Sequence, residues 1–196
     1  MFGLGESNDT ITSTKRSDPS AKSVLIVTGD NCNELEFFVP YYRFCEAGLK
    51  VDVASPDGGS IKGAHGTEFA HTLKVSEVRP SEYALLYLPG GKAPAKLRKD
   101  EDVLAVVRQF VVAGTPISAI CHAAQILVSA NVVRGKRISA YPEVEKEISE
   151  AGGTFVNQAL VEDGIFTTAR WPGDLPGHME ATLRRLGLSS NARMAA

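Results

Sequence analysis

The sequence has few cysteines, little excess of either charge and no long apolar run. It has three cysteines, an odd number, which argues against a disulfide framework. They have no cysteine or histidine pairs nearby, so no zinc site is indicated either. The formal net charge of −2 provides no basic surface for nucleic acid. No apolar segment approaches the roughly 20 residues that cross a bilayer, and Met1 to Lys22 lacks the apolar centre of a secretory signal. We therefore expect a cytoplasmic protein with no metal, no nucleic-acid partner and no membrane contact.

Length and composition indicate one globular domain between two polar ends. A hydrophobic fraction of 43% is ordinary for such a domain, and a chain of this length can bury a sizeable core. Residues 1–22 are rich in Ser, Thr, Asp, Asn and Lys, and we expect a disordered tail there and a second loose tail over 189–196. Residues 23–188 are the predicted domain.

Short apolar runs alternate with helical patterns along this domain. Strands are predicted over 23–28, 51–54, 84–88, 116–120 and 165–168, and helices over 33–48, 103–112, 121–130, 144–151 and 179–186. Alternation of this kind predicts an α/β fold with a mostly parallel sheet covered on both faces. Ligands in such folds sit beyond the carboxyl ends of the strands. Three segments leave strands at that edge: Gly29 to Asn33, Pro89 to Gly91, and Cys121.

The strongest local signal is the segment Ser118 to Gln125. Cys121 lies between a predicted strand and a predicted helix, with the small residues Ala119 and Ala123 two positions away on either side. A nucleophile elbow needs small residues there because the strand and helix backbones approach closely. The first turn of a helix favours an anion, so we expect a lowered thiol pKa and a thiolate near neutral pH. The alternative is a small buried hydrophobic cysteine; the strand-to-helix position favours the nucleophile.

Glu36 and the remaining cysteines and histidines have competing interpretations. Glu36 follows Asn33 with capping-box spacing, which is typical of a helix-start glutamate, but it also lies near the predicted ligand edge. The other four are interpreted as follows: Cys32 and Cys45 as packing residues, His178 as structural, and His65 as a loop or interface residue.

Several motifs together resemble the ThiJ/PfpI superfamily, in its PfpI-like branch, where cysteine is followed directly by histidine. The motifs are Ala119–His122 with Gln125-Ile-Leu, Leu88–Gly91 with Ala93-Pro94, Glu36 before Pro40, and Arg170–Leu175. The resemblance covers about Ser23 to Gly187. It implies a flavodoxin-like three-layer sandwich that forms a homo-oligomer, a dimer or a hexamer. Family activities include glyoxalase III, deglycation, peptidase action and protection against oxidative stress.

The resemblance also implies roles for individual residues. Cys121 is the expected nucleophile, with the carboxyl group of Glu36 beside its sulfur. The backbone N–H groups of Gly91 and His122 are the expected anion hole, and His122 is the candidate for proton transfer. Because a carboxylate and a thiolate in contact cannot both ionise cheaply, we expect Glu36 to be protonated and to donate to the thiolate.

This chain departs from the family pattern at two positions. PfpI-type peptidases have an acidic residue, which reaches the histidine of a neighbouring subunit, where this chain has Ala95. A histidine without that partner is less well oriented, which weakens a peptidase triad. Ala123 stands where glycine is common, and its methyl group is expected to narrow the pocket or shift the elbow. The loop at Trp171-Pro172 has two open interpretations, a pocket wall or a subunit contact.

The leading functional expectation is a cofactor-free, cysteine-dependent enzyme acting on small reactive carbonyls. It would be glyoxalase III-like, converting methylglyoxal to lactate, or deglycase-like. The alternatives are a PfpI-type cysteine peptidase or amidase, which Ala95 disfavours, and a non-catalytic oxidative-stress sensor or chaperone that uses Cys121.

Overall fold

The computed structural model describes residues 22–188, and the two predicted tails, apart from Lys22, lie outside the described residues. This segment contains ten strands and six α-helices. The strands are β1 Ser23–Val27, β2 Lys50–Ser55, β3 Gly59–Lys62, β4 Glu68–Lys74, β5 Leu85–Leu88, β6 Ile117–Ile120, β7 Arg137–Ile138, β8 Thr154–Phe155, β9 Val161–Asp163 and β10 Phe166–Ala169. The helices are α1 Glu34–Glu46, α2 Pro94–Leu97, α3 Glu101–Val112, α4 Ala124–Ser129, α5 Glu145–Glu150 and α6 Leu175–Arg185.

A single eight-stranded sheet forms the centre, in the order β3-β4-β2-β1-β5-β6-β10-β9. The pairs β4–β2, β2–β1, β1–β5, β5–β6 and β6–β10 are parallel, while the outer pairs β3–β4 and β9–β10 are antiparallel. The predicted fold class, a flavodoxin-like sandwich with a mostly parallel sheet, is confirmed. Since β5, β6 and β10 are buried at every residue, both faces of the central sheet must be covered.

Helices α1 and α6 pack against each other, and α2, α3 and α5 each pack against α4. Helix α1 begins at the predicted N-cap, where the Asn33 side chain accepts hydrogen bonds from the N–H groups of Leu35 (3.0 Å) and Glu36 (3.3 Å). The helix buries Phe37, Tyr41 and Phe44, whereas the apolar side chains on its other side stay largely exposed.

The predicted elements are present with small shifts of their ends, and the sequence interpretation missed others. The edge strands β3 and β4, the short strands β7, β8 and β9, and the one-turn helix α2 were not predicted. The predicted helix 121–130 is a 3-10 turn, Cys121–Ala123, followed by α4. Within residues 22–188, no helix is long and apolar enough to span a membrane.

The carboxyl ends of β1, β5 and β6 lie side by side, as predicted, and their loops are joined. Cys32 and Gly91 form an isolated bridge, in which Asn33 donates to the Gly90 carbonyl (3.2 Å) and Lys92 donates to the Asn31 carbonyl (2.9 Å). These bonds tie the start of α1 to the loop after β5. They therefore set the position of Glu36, in the first turn of α1, relative to that loop.

Candidate active site

Cys121 occupies a strained turn at the end of β6. Its φ is 63°, in the left-handed region that a non-glycine residue adopts at a cost of about 1–3 kcal/mol. Ile120 before it is extended, and the 3-10 turn begins at Cys121 itself. Ala119 and Ala123 are almost completely buried, so their small side chains let the backbones approach. This is the geometry of the predicted nucleophile elbow.

Gly90 and Gly91 allow the loop after β5 to pack closely against Cys121 and the start of α1. A side-chain carbon placed on Gly90 would lie 2.6 Å from Cys121 Cβ and 2.6 Å from Glu36 Oε2. At Gly91, where φ is +85°, such a carbon would lie 2.4 Å from the Asn33 nitrogen. The close approach lets the backbone N–H groups of Gly91 and His122 hydrogen-bond the Cys121 sulfur. The predicted anion-hole residues are thus adjacent to the thiol.

Glu36 is completely buried beside Cys121. Its Oε2 accepts a hydrogen bond from the Gly90 N–H (2.9 Å), and the carboxyl group also hydrogen-bonds the Cys121 thiol. Its Oε1 is buried with no hydrogen-bond partner among residues 22–188. Glu36 does not complete a capping box, because the Asn33 N–H donates to the Gly90 carbonyl (3.2 Å) instead of to Glu36. Burial raises the pKa of Glu36 to about 7, although the hydrogen bonds to Cys121 and Gly90 oppose the shift.

The thiol pKa moves in the direction opposite to the one predicted. Burial and, after it, the neighbouring Glu36 together raise the pKa of Cys121 to about 12, against the opposing effect of the Gly91 and His122 N–H groups. Helix α4 has only six residues, so it adds little of the dipole on which the prediction relied. Because repulsion from an ionised Glu36 contributes, a pKa of about 12 describes removal of the second proton from the pair. Near neutral pH the pair therefore retains one proton.

His122 lies beside the sulfur, with its Nδ1 3.3 Å from Cys121 Sγ. Its ring stacks on Tyr141 at a centroid distance of 4.7 Å. Its other nitrogen, Nε2, is 3.5 Å from Glu143 Oε2. The sequence interpretation treated this histidine as lacking a carboxylate, on the basis of Ala95, and missed Glu143. No spacing rule links positions 122 and 143, so only the fold reveals the contact.

These groups open into a cavity of about 700 Å³. Its lining residues are Asn33, Glu36, Ala64, Gly91, Lys92, Ala95, Cys121, His122, Gln125, Tyr141, Glu143, Trp171 and Pro172. Trp171 and Pro172 are therefore pocket-wall residues. Ala123 is fully buried and does not line the cavity.

The other residues considered from the sequence lie apart from this cavity. Cys32 is 1% exposed in the core and Cys45 is partly buried against it. His178 is fully buried, while His65 lies in an exposed loop and contacts Glu34 (2.7 Å). No disulfide joins any of the three cysteines, all of which lie within residues 22–188. Among residues 22–188, no cluster of three or more His, Cys, Asp or Glu side chains could hold a metal ion.

Comparison with known proteins places this geometry in a family. Residues 22–185 match the model of the DJ-1/PfpI family. A protein named as a deglycase from Pyrococcus abyssi is 38% identical over 163 residues, which cover 83% of this chain and 98% of that protein. Protein/nucleic acid deglycase 2 from Escherichia coli is 36% identical over 171 residues, covering 85% and 99%.

Solved structures of proteins from the same family superpose well on this chain. The crystal structure of a two-domain protein with DJ-1/ThiJ/PfpI-like and ferritin-like domains from Anabaena variabilis superposes with a TM-score of 0.85 and 30% identity, over 87% of this chain and 51% of that one. Drosophila melanogaster DJ-1beta superposes with a TM-score of 0.79 and 25% identity, over 85% and 90%. The fold, the elbow cysteine and these relatives lead to one conclusion: the chain belongs to the DJ-1/PfpI family.

Proposed function

We propose that this protein is a cysteine-dependent enzyme that acts on small reactive carbonyl compounds, of which methylglyoxal is the model, and on their early adducts with amines. The observation that carries the proposal is the convergence of Cys121, Glu36 and two backbone N–H groups on one accessible cavity. Relatives named as deglycases support the same chemical class.

The first requirement is a nucleophilic sulfur. The Cys121–Glu36 pair loses its first proton near pH 7, the pKa to which burial raises Glu36. The sulfur then receives hydrogen bonds from two backbone N–H groups, whereas the Glu36 carboxyl receives one, from Gly90. The thiolate with a protonated Glu36 is the nucleophilic form of this singly protonated pair, and the Gly91 and His122 N–H groups stabilise the charge on its sulfur.

The chemistry then follows from the positions of these groups. The thiolate attacks the aldehyde carbon and forms a hemithioacetal, whose oxygen takes the proton of Glu36 and lies near the Gly91 N–H. Glu36, now ionised, removes the proton from that carbon and returns it to the adjacent carbonyl carbon. The hydroxyl proton of the hemithioacetal passes to the oxygen of that adjacent carbon, which gives a thioester of a 2-hydroxy acid. Donors aimed at a developing oxyanion contribute on the order of 3 kcal/mol each, and an acid of pKa about 7 suits proton transfer near neutral pH.

Hydrolysis completes the cycle. Water attacks the thioester with His122 Nδ1 as the base, the C–S bond breaks, and the 2-hydroxy acid leaves as Cys121 is restored. The sum is addition of one water to methylglyoxal, giving lactate and a proton, with no external oxidant or reductant. His122 contacts the sulfur and lines the cavity, which are the positions that this role requires.

The test is production of lactate from methylglyoxal and release of free amine from an early methylglyoxal–lysine adduct, with the wild type and Cys121→Ala. We expect wild-type turnover and none above background in the variant. Equal rates in the two proteins would refute the proposal. Cleavage of peptide substrates without carbonyl turnover would favour the peptidase alternative, and selective peroxide oxidation of Cys121 without any turnover would favour the sensor.

A further inference from the structure

His122 lies between the sulfur and a carboxylate of the same chain. Its Nδ1 is 3.3 Å from Cys121 Sγ, and its Nε2 is 3.5 Å from Glu143 Oε2. An imidazole that donates through one nitrogen presents a lone pair at the other. A carboxylate at Nε2 therefore favours the tautomer whose Nδ1 is free to accept a proton near the sulfur.

The segment that carries Glu143 is fixed to the elbow. The Tyr141 N–H donates to the Cys121 carbonyl (3.3 Å), and the Tyr141 ring stacks on His122. Val144 is fully buried, and its N–H donates to the Tyr141 carbonyl (2.9 Å). Glu143 lies between these two anchored residues, so its backbone is held even though 76% of its side chain is exposed.

Other nearby carboxylates are already engaged. Glu36 accepts a hydrogen bond from the Gly90 N–H and is hydrogen-bonded to the Cys121 thiol. Glu147 forms an ion pair with Arg98 (2.5 Å) and accepts from Gln125 (3.2 Å). Within the part of the chain that the structure describes, Glu143 is the carboxylate in contact with His122 Nε2.

We propose that Glu143 is a positioning residue that orients His122 as the base for thioester hydrolysis, in place of any carboxylate at position 95. This inference depends on the proposed function for its kinetic consequence. As water attacks the thioester, its proton moves to Nδ1, and the imidazolium that forms is stabilised by the Glu143 carboxylate until the proton passes to solvent. Loss of Glu143 then slows hydrolysis more than it slows formation of the thioester.

The kinetic test compares Glu143→Gln with Glu145→Gln in the full-length protein. Glu145 is exposed at the start of α5, so its replacement removes the same charge from the same segment. We expect kcat to fall about tenfold in Glu143→Gln, KM to fall with it, and the lactoyl adduct on Cys121 to accumulate in intact-protein mass spectra. We expect Glu145→Gln to stay within about twofold of the wild type, and Glu143→Asp to recover part of the lost kcat. Equal kcat and equal adduct in the two glutamine variants would overturn the proposal.

A second measurement is independent of turnover. The ¹⁵N shifts of His122 report which ring nitrogen carries the proton, and we expect Glu143→Ala to reduce the population protonated at Nε2 while Glu145→Ala leaves it unchanged. An unchanged tautomer in Glu143→Ala would overturn the positioning role. If the wild type makes no lactate and forms no adduct, the proposed function fails, and the tautomer measurement still decides whether Glu143 orients His122.

Discussion

Strand β6 presents two pairs of a nucleophile-type side chain and a histidine, and their difference shows what makes a site. Within the strand, Ser118 Oγ lies 3.0 Å from His178 Nε2. Just beyond its end, Cys121 Sγ lies 3.3 Å from His122 Nδ1. By distance alone the serine pair is the better candidate for nucleophilic catalysis.

Access separates the two pairs. Ser118 and His178 are both fully buried, and the serine hydroxyl also contacts the Thr182 hydroxyl (2.6 Å). Burial lowers the pKa of His178 to about 4, which keeps this histidine neutral inside the protein. Cys121 instead leaves the sheet on a strained turn and opens into a cavity of about 700 Å³. A short contact inside a strand stabilises the core, whereas one at a strand end can meet a substrate.

The largest expected effect comes from exchanging the reacting atom in each pair. We expect Cys121→Ser to lose activity on methylglyoxal by roughly 1000-fold, because a hydroxyl does not ionise near neutral pH. Ser118→Ala should retain activity within about twofold and lose about 1 kcal/mol of unfolding free energy. Steady-state kinetics and urea denaturation measure the two effects. Activity that depended on Ser118 rather than Cys121 would reverse the comparison.

The next effect concerns Glu36 and pH. We expect wild-type kcat/KM to rise as the pH increases through about 7, because below that value the Cys121–Glu36 pair keeps both protons and the sulfur is neutral. Glu36→Gln cannot transfer the proton and should lower kcat by about 100-fold at every pH. Alkylation of Cys121 by iodoacetamide should persist in this variant, since burial and repulsion from Glu36 both raise the thiol pKa and the substitution removes the repulsion. A Glu36→Gln enzyme with wild-type kcat would exclude the carboxyl group from the chemistry.

Glu36, beside Cys121, and His178, beside Ser118, should have opposite effects on how stability depends on pH. Glu36 has a folded pKa of about 7 against 4.5 in the unfolded chain, so the native state holds the extra proton and stability falls as the pH rises through that window. His178 has a folded pKa of about 4 against 6.5, so the unfolded state holds the extra proton and stability rises with pH. Each effect is worth about 3 kcal/mol over its window.

In the wild type the contributions of Glu36 and His178 to the unfolding free energy oppose each other over most of the range between about pH 4 and 7. We expect the unfolding free energy of Glu36→Gln to rise with pH between about 4 and 7 and that of His178→Gln to fall, in urea titrations at matched ionic strength. If the unfolding free energy changed with pH in the same direction in both variants, burial would not control the protonation of either Glu36 or His178 as expected.

The smallest expected effect tests the close approach at the elbow. Gly90→Ala places a methyl group against Cys121 Cβ and Glu36 Oε2, and we expect a loss of about 1–3 kcal/mol in unfolding free energy together with reduced activity. Gly114→Ala is the matched control, because its new carbon meets nothing within 4 Å. Its positive φ of +67° alone should cost about 1 kcal/mol without affecting activity. Similar activity in both variants would mean that the loop can move away from the sulfur.

Sequence patterns predicted the parts of the fold whose signals are local. The continuous apolar runs that became β1, β5 and β6 were found because a strand buried on both faces has few polar residues. Strands β3 and β4 were missed, since at the edge of the sheet most of their residues are exposed and the apolar run is broken. In the candidate site, the proximity of Cys121, Gly91 and Glu36 was expected from the family resemblance and from the shared edge of the sheet.

By itself the sequence determined the elbow and the capped start of α1, because strand, turn and N-cap geometry depend on residues only a few positions apart. The tertiary structure decided the electrostatics. It raised the pKa of the Cys121 thiol, which the sequence had been expected to lower, and it brought Glu143 to His122. Burial and contacts between distant segments depend on how every layer packs, and a pKa follows the resulting loss of water and gain of neighbours rather than the spacing of residues along the chain.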